Sequence, residues 1–187
     1  IAGNIIDLGA NSNLTITAVH DAVNQALNEP LVGDWEEFCQ ALNEARNILY
    51  LADNAGEIAF DRLLIEQISP ERITLVVRGA PVINDATLVD ARAVGLHEIV
   101  EIIDNGSDAP GTVLSDCRPE LVRRFAAADL IIAKGQGNFE TLSAEPRNIF
   151  FLFKVKCPVI AGHIGHPVGT QVLLKSKVIP PEIGSDR

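Results

Sequence analysis

The stretch Asn47-Ile48-Leu49-Tyr50-Leu51-Ala52-Asp53-Asn54-Ala55-Gly56-Glu57 is a short apolar run that stops at a carboxylate, a carboxamide, a glycine and a second carboxylate. Ile48 to Ala52 has the length and composition of a parallel strand buried on both faces, which puts the polar group at its carboxyl end. Ligands of open α/β sheets bind at that edge. Three later apolar runs end the same way. Residues 73–77 precede Arg78-Gly79, residues 98–103 precede Asp104-Asn105-Gly106-Ser107, and residues 130–133 precede Lys134-Gly135-Gln136-Gly137-Asn138. Four strands are thus expected to deliver acids, amides, one lysine and one arginine to a single rim.

Helical spacing fills the intervals. Residues 1–11 read as a connecting segment, and a helix is expected from Leu14, with Val19, Ala22, Val23, Ala26 and Leu27 on one face and Pro30 stopping it. A second helix should follow Asp34, as N-cap of a capping box with Glu37, and bury Phe38, Ala41, Leu42 and Ala45. A third runs from Glu57 to Ile68 through Phe60, Leu63 and Leu64, a fourth is capped by Asp85 and ends at Gly95, and a fifth has Pro119 in its first turn and Leu121, Val122 and Phe125 on its apolar face. Strand, helix and strand again make βαβ units with right-handed crossovers. Residues 148–153 suggest a fifth strand, 158–161 a short sixth and 171–175 an edge strand. The expected division is a helical lead-in over 1–46, an α/β domain over 47–175 and a tail over 176–187.

Composition narrows the functional classes. The 187 residues carry 15 basic and 25 acidic side chains, a formal charge of −10, with 47% hydrophobic and 21% charged residues. That content suits one domain with a full core. A pI near 4.8 argues against a nucleic-acid groove or an anionic membrane surface, both of which need a basic face. No run approaches the roughly 20 apolar residues of a membrane span, so a cytoplasmic location is expected. Cys39, Cys117 and Cys157 lack CxxC spacing and should be reduced. A chain that opens at Ile1 without any methionine is expected to continue from an N-terminal part.

Asp53, Asn54 and Asp85 are hard oxygen ligands suited to Mg²⁺ or Mn²⁺, with Co²⁺ or Ni²⁺ as alternatives. Each has a plainer reading: Asp53 or Asn54 as the Asx residue of a turn, Asp85 as a helix N-cap. Lys134 before Gly135-Gln136-Gly137-Asn138 suggests a phosphate contact at a helix start, against a solvated lysine. Glu140 stands where a dinucleotide fingerprint has its third glycine, and the run follows a late strand, so a Rossmann cofactor is not expected. Arg78, Asn84, Ser107, Gly135 and Asn138 are candidates for holding the rest of a substrate, or else an ordinary polar rim. His163 and His166 have no further ligand at zinc-like spacing.

Three motifs in this order resemble the damage-control phosphatases: Asp53-Asn54-Ala55-Gly56-Glu57 with Phe60-Asp61, Val77-Arg78-Gly79-Ala80-Pro81 with Asn84-Asp85-Ala86-Thr87, and residues 128–140 around Lys134-Gly135-Gln136-Gly137-Asn138. The resemblance runs from about Gly3 to about Gly169. It implies a three-layer α/β/α sandwich with a Rossmann-like, mostly parallel sheet, and metal-dependent hydrolysis of small phosphorylated metabolites such as sugar phosphates. It implies that Asp53, Asn54 and Asp85 bind the ion and that Lys134 faces the phosphate, with Asn138 nearby. The attacking group would be a water on the metal or the Asp53 carboxylate through an aspartyl-phosphate. A metal- and phosphometabolite-binding module without turnover is the alternative. Family members usually carry a helical region before the segment matching 3–7, and the bacterial and archaeal branch often has N-terminal cysteines, which are absent here.

Overall fold

The apolar runs form the middle of one sheet. The structure, a computed structural model, describes residues 28–177 together with Asn24 and Ala26. In chain order the elements are β1 (Leu31–Gly33), α1 (Trp35–Glu44), β2 (Ile48–Leu51), α2 (Ile58–Gln67), β3 (Ile73–Val77), α3 (Leu88–Ala93), β4 (Glu101–Asp104), α4 (Pro119–Ala127), β5 (Leu130–Lys134), α5 (Gln136–Leu142), β6 (Ile149–Lys154), α6 (Pro158–Ile164) and β7 (Gln171–Lys175). The sheet has seven strands in the order β1-β7-β6-β5-β2-β3-β4. All pairings are parallel except β6 with β7.

Alternation along β2 divides the core into two layers. Ile48, Tyr50 and Ala52 point to one face, where Phe38 of α1, Ile58 and Ile65 of α2 and Ala91 of α3 cover them. Leu49 and Leu51 point to the other, under Leu121 and Phe125 of α4, Phe139 and Leu142 of α5 and Ile160 of α6. Phe139 meets Phe151 edge-on at 5.2 Å and Phe153 at 5.0 Å between ring centroids. This is the expected α/β/α sandwich.

The chain lays down β2, β3 and β4 outward in one direction, then crosses under α4 to place β5 on the far side of β2. Strand order therefore reverses between β2 and β5. The crevice outside their carboxyl ends is where such sheets bind ligands.

Residues 158–161 are the start of helix α6, with Pro158 at its first position, and not a strand. β7 lies inside the sheet because Leu31–Gly33, too short to show a period, pairs along its outer side. The strand expected at 98–103 begins at Glu101, behind a 3₁₀ turn over Leu96–Glu98. Asp34 makes no side-chain cap; its Oδ2 accepts the Lys175 backbone N–H at 2.8 Å, and Glu37 pairs with the Lys175 ammonium at 2.7 Å. The buried face of α2 is Ile58, Asp61 and Ile65, whereas Leu63 is 60% exposed. β1 and α1, both ahead of Asn47, belong to this same sheet and core. The helix expected from Leu14 and the tail from Val178 lie outside the described residues.

Candidate functional site

Asp53 and Asn54 follow β2 directly, and Lys134 and Gly135 close β5 across the reversal point. Gly135 has a φ of +82°, and a Cβ built there would stand 2.1 Å from the Asp53 carboxylate carbon. Only glycine lets the β5 turn come this close to Asp53. The Gly135 N–H donates to the Leu152 carbonyl at 3.0 Å, which extends the β5–β6 ladder.

The loop after β3 folds back onto the β2 end through its backbone. Asn54 and Asp85 form an isolated antiparallel bridge. The Ala55 N–H donates to the Asn84 carbonyl at 2.8 Å, and the Ala86 N–H to the Asp53 carbonyl at 2.7 Å. Ile83, just before this bridge, sits at φ 49°, an outlier for a β-branched residue, so the segment that presents Asp85 carries backbone strain.

Asp85 does not cap α3. Thr87 does, in a reciprocal capping box with Asp90. Asp85 Oδ2 instead accepts from Arg78 Nε at 2.6 Å, with both side chains under one-tenth exposed. The same guanidinium donates to Thr112 Oγ1 at 3.2 Å and to Asn138 Oδ1 at 3.4 Å. Asn138 Nδ2 in turn donates to the Lys134 carbonyl at 2.7 Å and the Ala52 carbonyl at 3.2 Å, clamping the β2 and β5 ends together. Arg78 and Asn138 thus lie behind the rim and hold Asp85 and the crevice walls. Ser107 is buried in the turn after β4, where its hydroxyl donates to Asp116 and accepts the Ala109 N–H at 3.0 Å.

Lys134 is 1% exposed. Its ammonium donates to Glu57 Oε1 and, at 2.5 Å, to Asp61 Oδ1, which also accepts from the Tyr50 hydroxyl at 2.8 Å. Burial opposes its charge, but the Asp61 and Glu57 carboxylates outweigh burial and lift its pKa well above that of a free lysine. Asp61 stands one helical turn beyond Glu57, a spacing that could have pointed to a shared partner. Tyr50 and Thr112 carry no comparable signal in the sequence.

The balance of charge favours a cation. Asp53, Asp85, Glu57 and Asp61 face Lys134, Arg78 and Lys156, and four carboxylates against three cations leave a formal −1 when every acid is ionised. Burial, then the charges of Glu57 and Asp85, push the Asp53 carboxyl up to about 7. Among the described residues no three His, Cys, Asp or Glu side chains are gathered as a metal site. The converging set is two carboxylates and one carboxamide. Asn54 Nδ2 occupies Asp53 Oδ2 at 2.9 Å and Arg78 occupies Asp85 Oδ2, while Oδ1 of each acid accepts no hydrogen bond from a described residue. Few protein oxygens with room for water and phosphate is the pattern Mg²⁺ favours, so these residues fit the implied ion.

A family model described as the damage-control phosphatase ARMT1-like domain matches residues 1–172. The chain belongs to this family. It is 42% identical over 186 residues to an uncharacterized protein of Methanocaldococcus jannaschii, covering 94% of this chain and 60% of that one. It is 38% identical over 182 residues to a damage-control phosphatase of Pyrococcus horikoshii, covering 95% and 63%, and 37% identical over 177 residues to one of Archaeoglobus fulgidus, covering 92% and 61%. The crystal structure of a DUF89 family protein from Pyrococcus horikoshii superimposes with a TM-score of 0.81 at 36% identity, covering 94% of this chain and 65% of that one. The chain therefore spans about three-fifths of the length of the curated relatives it matches.

Proposed function

We propose that the chain is the α/β part of a divalent-metal-dependent phosphatase that hydrolyses phosphomonoesters of small metabolites. The observation that carries this reading is the meeting of Asp53-Asn54 and Asp85 at the reversal point of the sheet, in a cluster with more carboxylates than cations. The names of the Pyrococcus and Archaeoglobus relatives point the same way.

Asp53, Asn54 and Asp85 would hold Mg²⁺ or Mn²⁺. When bound, the ion would supply Lewis-acid neutralisation of phosphoryl oxygens. Arg78 holds the Asp85 carboxylate in place through its Nε–H, and Gly135 leaves the space that Asp53 occupies. Lys134 offsets the Glu57 and Asp61 carboxylates at the β5 end, which lessens the negative field an incoming phosphoryl group would meet. An acidic protein accepts an anionic substrate on this scheme because the substrate arrives at a site already neutralised by its metal.

The test is phosphate release from a panel of sugar phosphates and phosphopantetheine derivatives with Mg²⁺, Mn²⁺, Co²⁺ or Ni²⁺, using the full-length protein. Metal-dependent release should fall at least about a hundredfold in Asp53→Ala and Asp85→Ala. Tight binding of the same esters without any release would instead establish a phosphometabolite-binding module.

A further inference from the structure

The buried cluster around Lys134 is larger than the proposed chemistry uses. Tyr50 lies in the middle of β2, two residues inside the sheet from Ala52, and is fully buried. Asp61 is on the inner face of α2 at 3% exposure, and its Oδ2 is buried with no hydrogen-bond partner among the described residues. Neither residue belongs to the rim.

Burying two carboxylates and an ammonium beneath a helix is costly, and apolar residues of similar volume would hold the same layer at least as well. Carboxylates one turn apart on a helix also repel each other. The arrangement is tolerated because one ammonium lies between them: Lys134 donates to Glu57 Oε1 and Asp61 Oδ1 together. Tyr50 fixes the second of these acceptors from below, since its hydroxyl donates to the same Asp61 Oδ1 at 2.8 Å. Glu57, the nearer of the two acids to the rim in sequence, is close enough to Asp53 that its charge disfavours ionisation of that carboxyl.

We infer that Asp61 and Tyr50 are positioning residues: through the shared Asp61 Oδ1 they pin the Lys134 ammonium beneath the reversal point, so that Lys134 and Glu57 present to the site as one rigid ion pair. The inference rests on the phosphatase reading for its kinetic consequence, while the anchoring itself is independent of turnover. A lysine on a four-carbon stem has many rotamers, and holding it in one removes the reorganisation that charge stabilisation would otherwise require.

Two measurements test it on the full-length protein. The first is the Lys134 ammonium signal in ¹H–¹⁵N spectra of ¹⁵N-lysine-labelled protein in chelator, assigned with Lys134→Met. The wild type should show a slowly exchanging ammonium that is lost in Asp61→Asn and broadened in Tyr50→Phe. The second is a split of kinetic constants with Mn²⁺: Tyr50→Phe should lower kcat roughly tenfold and Asp61→Asn more, with KM for the ester and the Mn²⁺ affinity within about twofold of wild type. Tyr50→Phe removes one oxygen and keeps the ring in its layer, so it stays informative if Asp61→Asn fails to fold. An ammonium signal unchanged in Tyr50→Phe, together with an unchanged kcat, would overturn the inference. Absence of phosphate release from the wild type sinks the phosphatase reading alone, because the ammonium signal still reports the anchor.

Discussion

Asp53 shows how a residue's surroundings state what is missing from it. Its carboxyl, ordinarily at 3.8, is pushed to about 7 by burial and then by the Glu57 and Asp85 charges. In the metal-free chain the folded state therefore keeps a proton that the unfolded chain releases between about pH 4 and 7. Stability is greatest below that window and falls as pH rises through it, by a few kcal/mol at about 1.4 kcal/mol per unit. Urea unfolding in EDTA at pH 5 and pH 8 measures the effect: the wild type should lose stability between the two, and Asp53→Asn should lose markedly less. Equal losses would mean that Asp53 does not carry the strain assigned to it. The identity of this residue as a site candidate was legible from its place after an apolar run. Its relation to Glu57 was not, because a glutamate in the first turn of a helix normally reads as a dipole partner facing water.

Among the elements, the β3 loop depends most on a single side chain. Arg78 leaves the end of β3 and reaches Asp85, Thr112 and Asn138, so it ties two loops and the first turn of α5 together inside the rim. Arg78→Met should cost about 3–5 kcal/mol, since it strands a buried Asp85 carboxylate. The double variant Arg78→Met with Asp85→Asn should recover part of that loss in the same urea unfolding. Additive losses would show that the pair is not coupled. Elements with a long apolar run, β2, β3 and β5, were legible because burial on both faces leaves an unmistakable composition. Elements decided by their neighbours were not. Pro158-Val159-Ile160-Ala161 has a strand's composition, but Pro158 serves the first turn of α6 and only Ile160 is buried there. Leu31–Gly33 is a strand because β7 offers it an edge. On α2 the expected Leu64 and Ile68 do pack against the core, but the deepest face is Ile58, Asp61 and Ile65, and Asp61, being charged, gives no apolar signal for it.

At the scale of the molecule, the net charge of −10 and the local excess of carboxylates over cations make one further demand. Among the described residues no helix is long and apolar enough to cross a membrane. A phosphate or phosphate ester approaching the metal-free rim meets a field of its own sign, whereas a divalent cation meets one that attracts it. Binding should therefore be ordered in effect, with the anion's affinity depending on the cation. Ligand binding to the folded state raises stability by about 2.7 kcal/mol at a hundred times the dissociation constant. For a chain of this size that corresponds to a rise in melting temperature of about 5–10 °C. Thermal melts of the full-length protein in EDTA, with inorganic phosphate alone, with Mn²⁺ alone and with both, separate the contributions. Phosphate alone should leave the melting temperature unchanged, Mn²⁺ should raise it, and phosphate should add a second rise only in the presence of Mn²⁺. Asp85→Asn should abolish both rises, since it removes one of the two carboxylates that draw the ion in. A full phosphate-induced rise in EDTA would instead place an anion site here that owes nothing to a metal, and Lys134 would then have to leave Glu57 and Asp61 to make it.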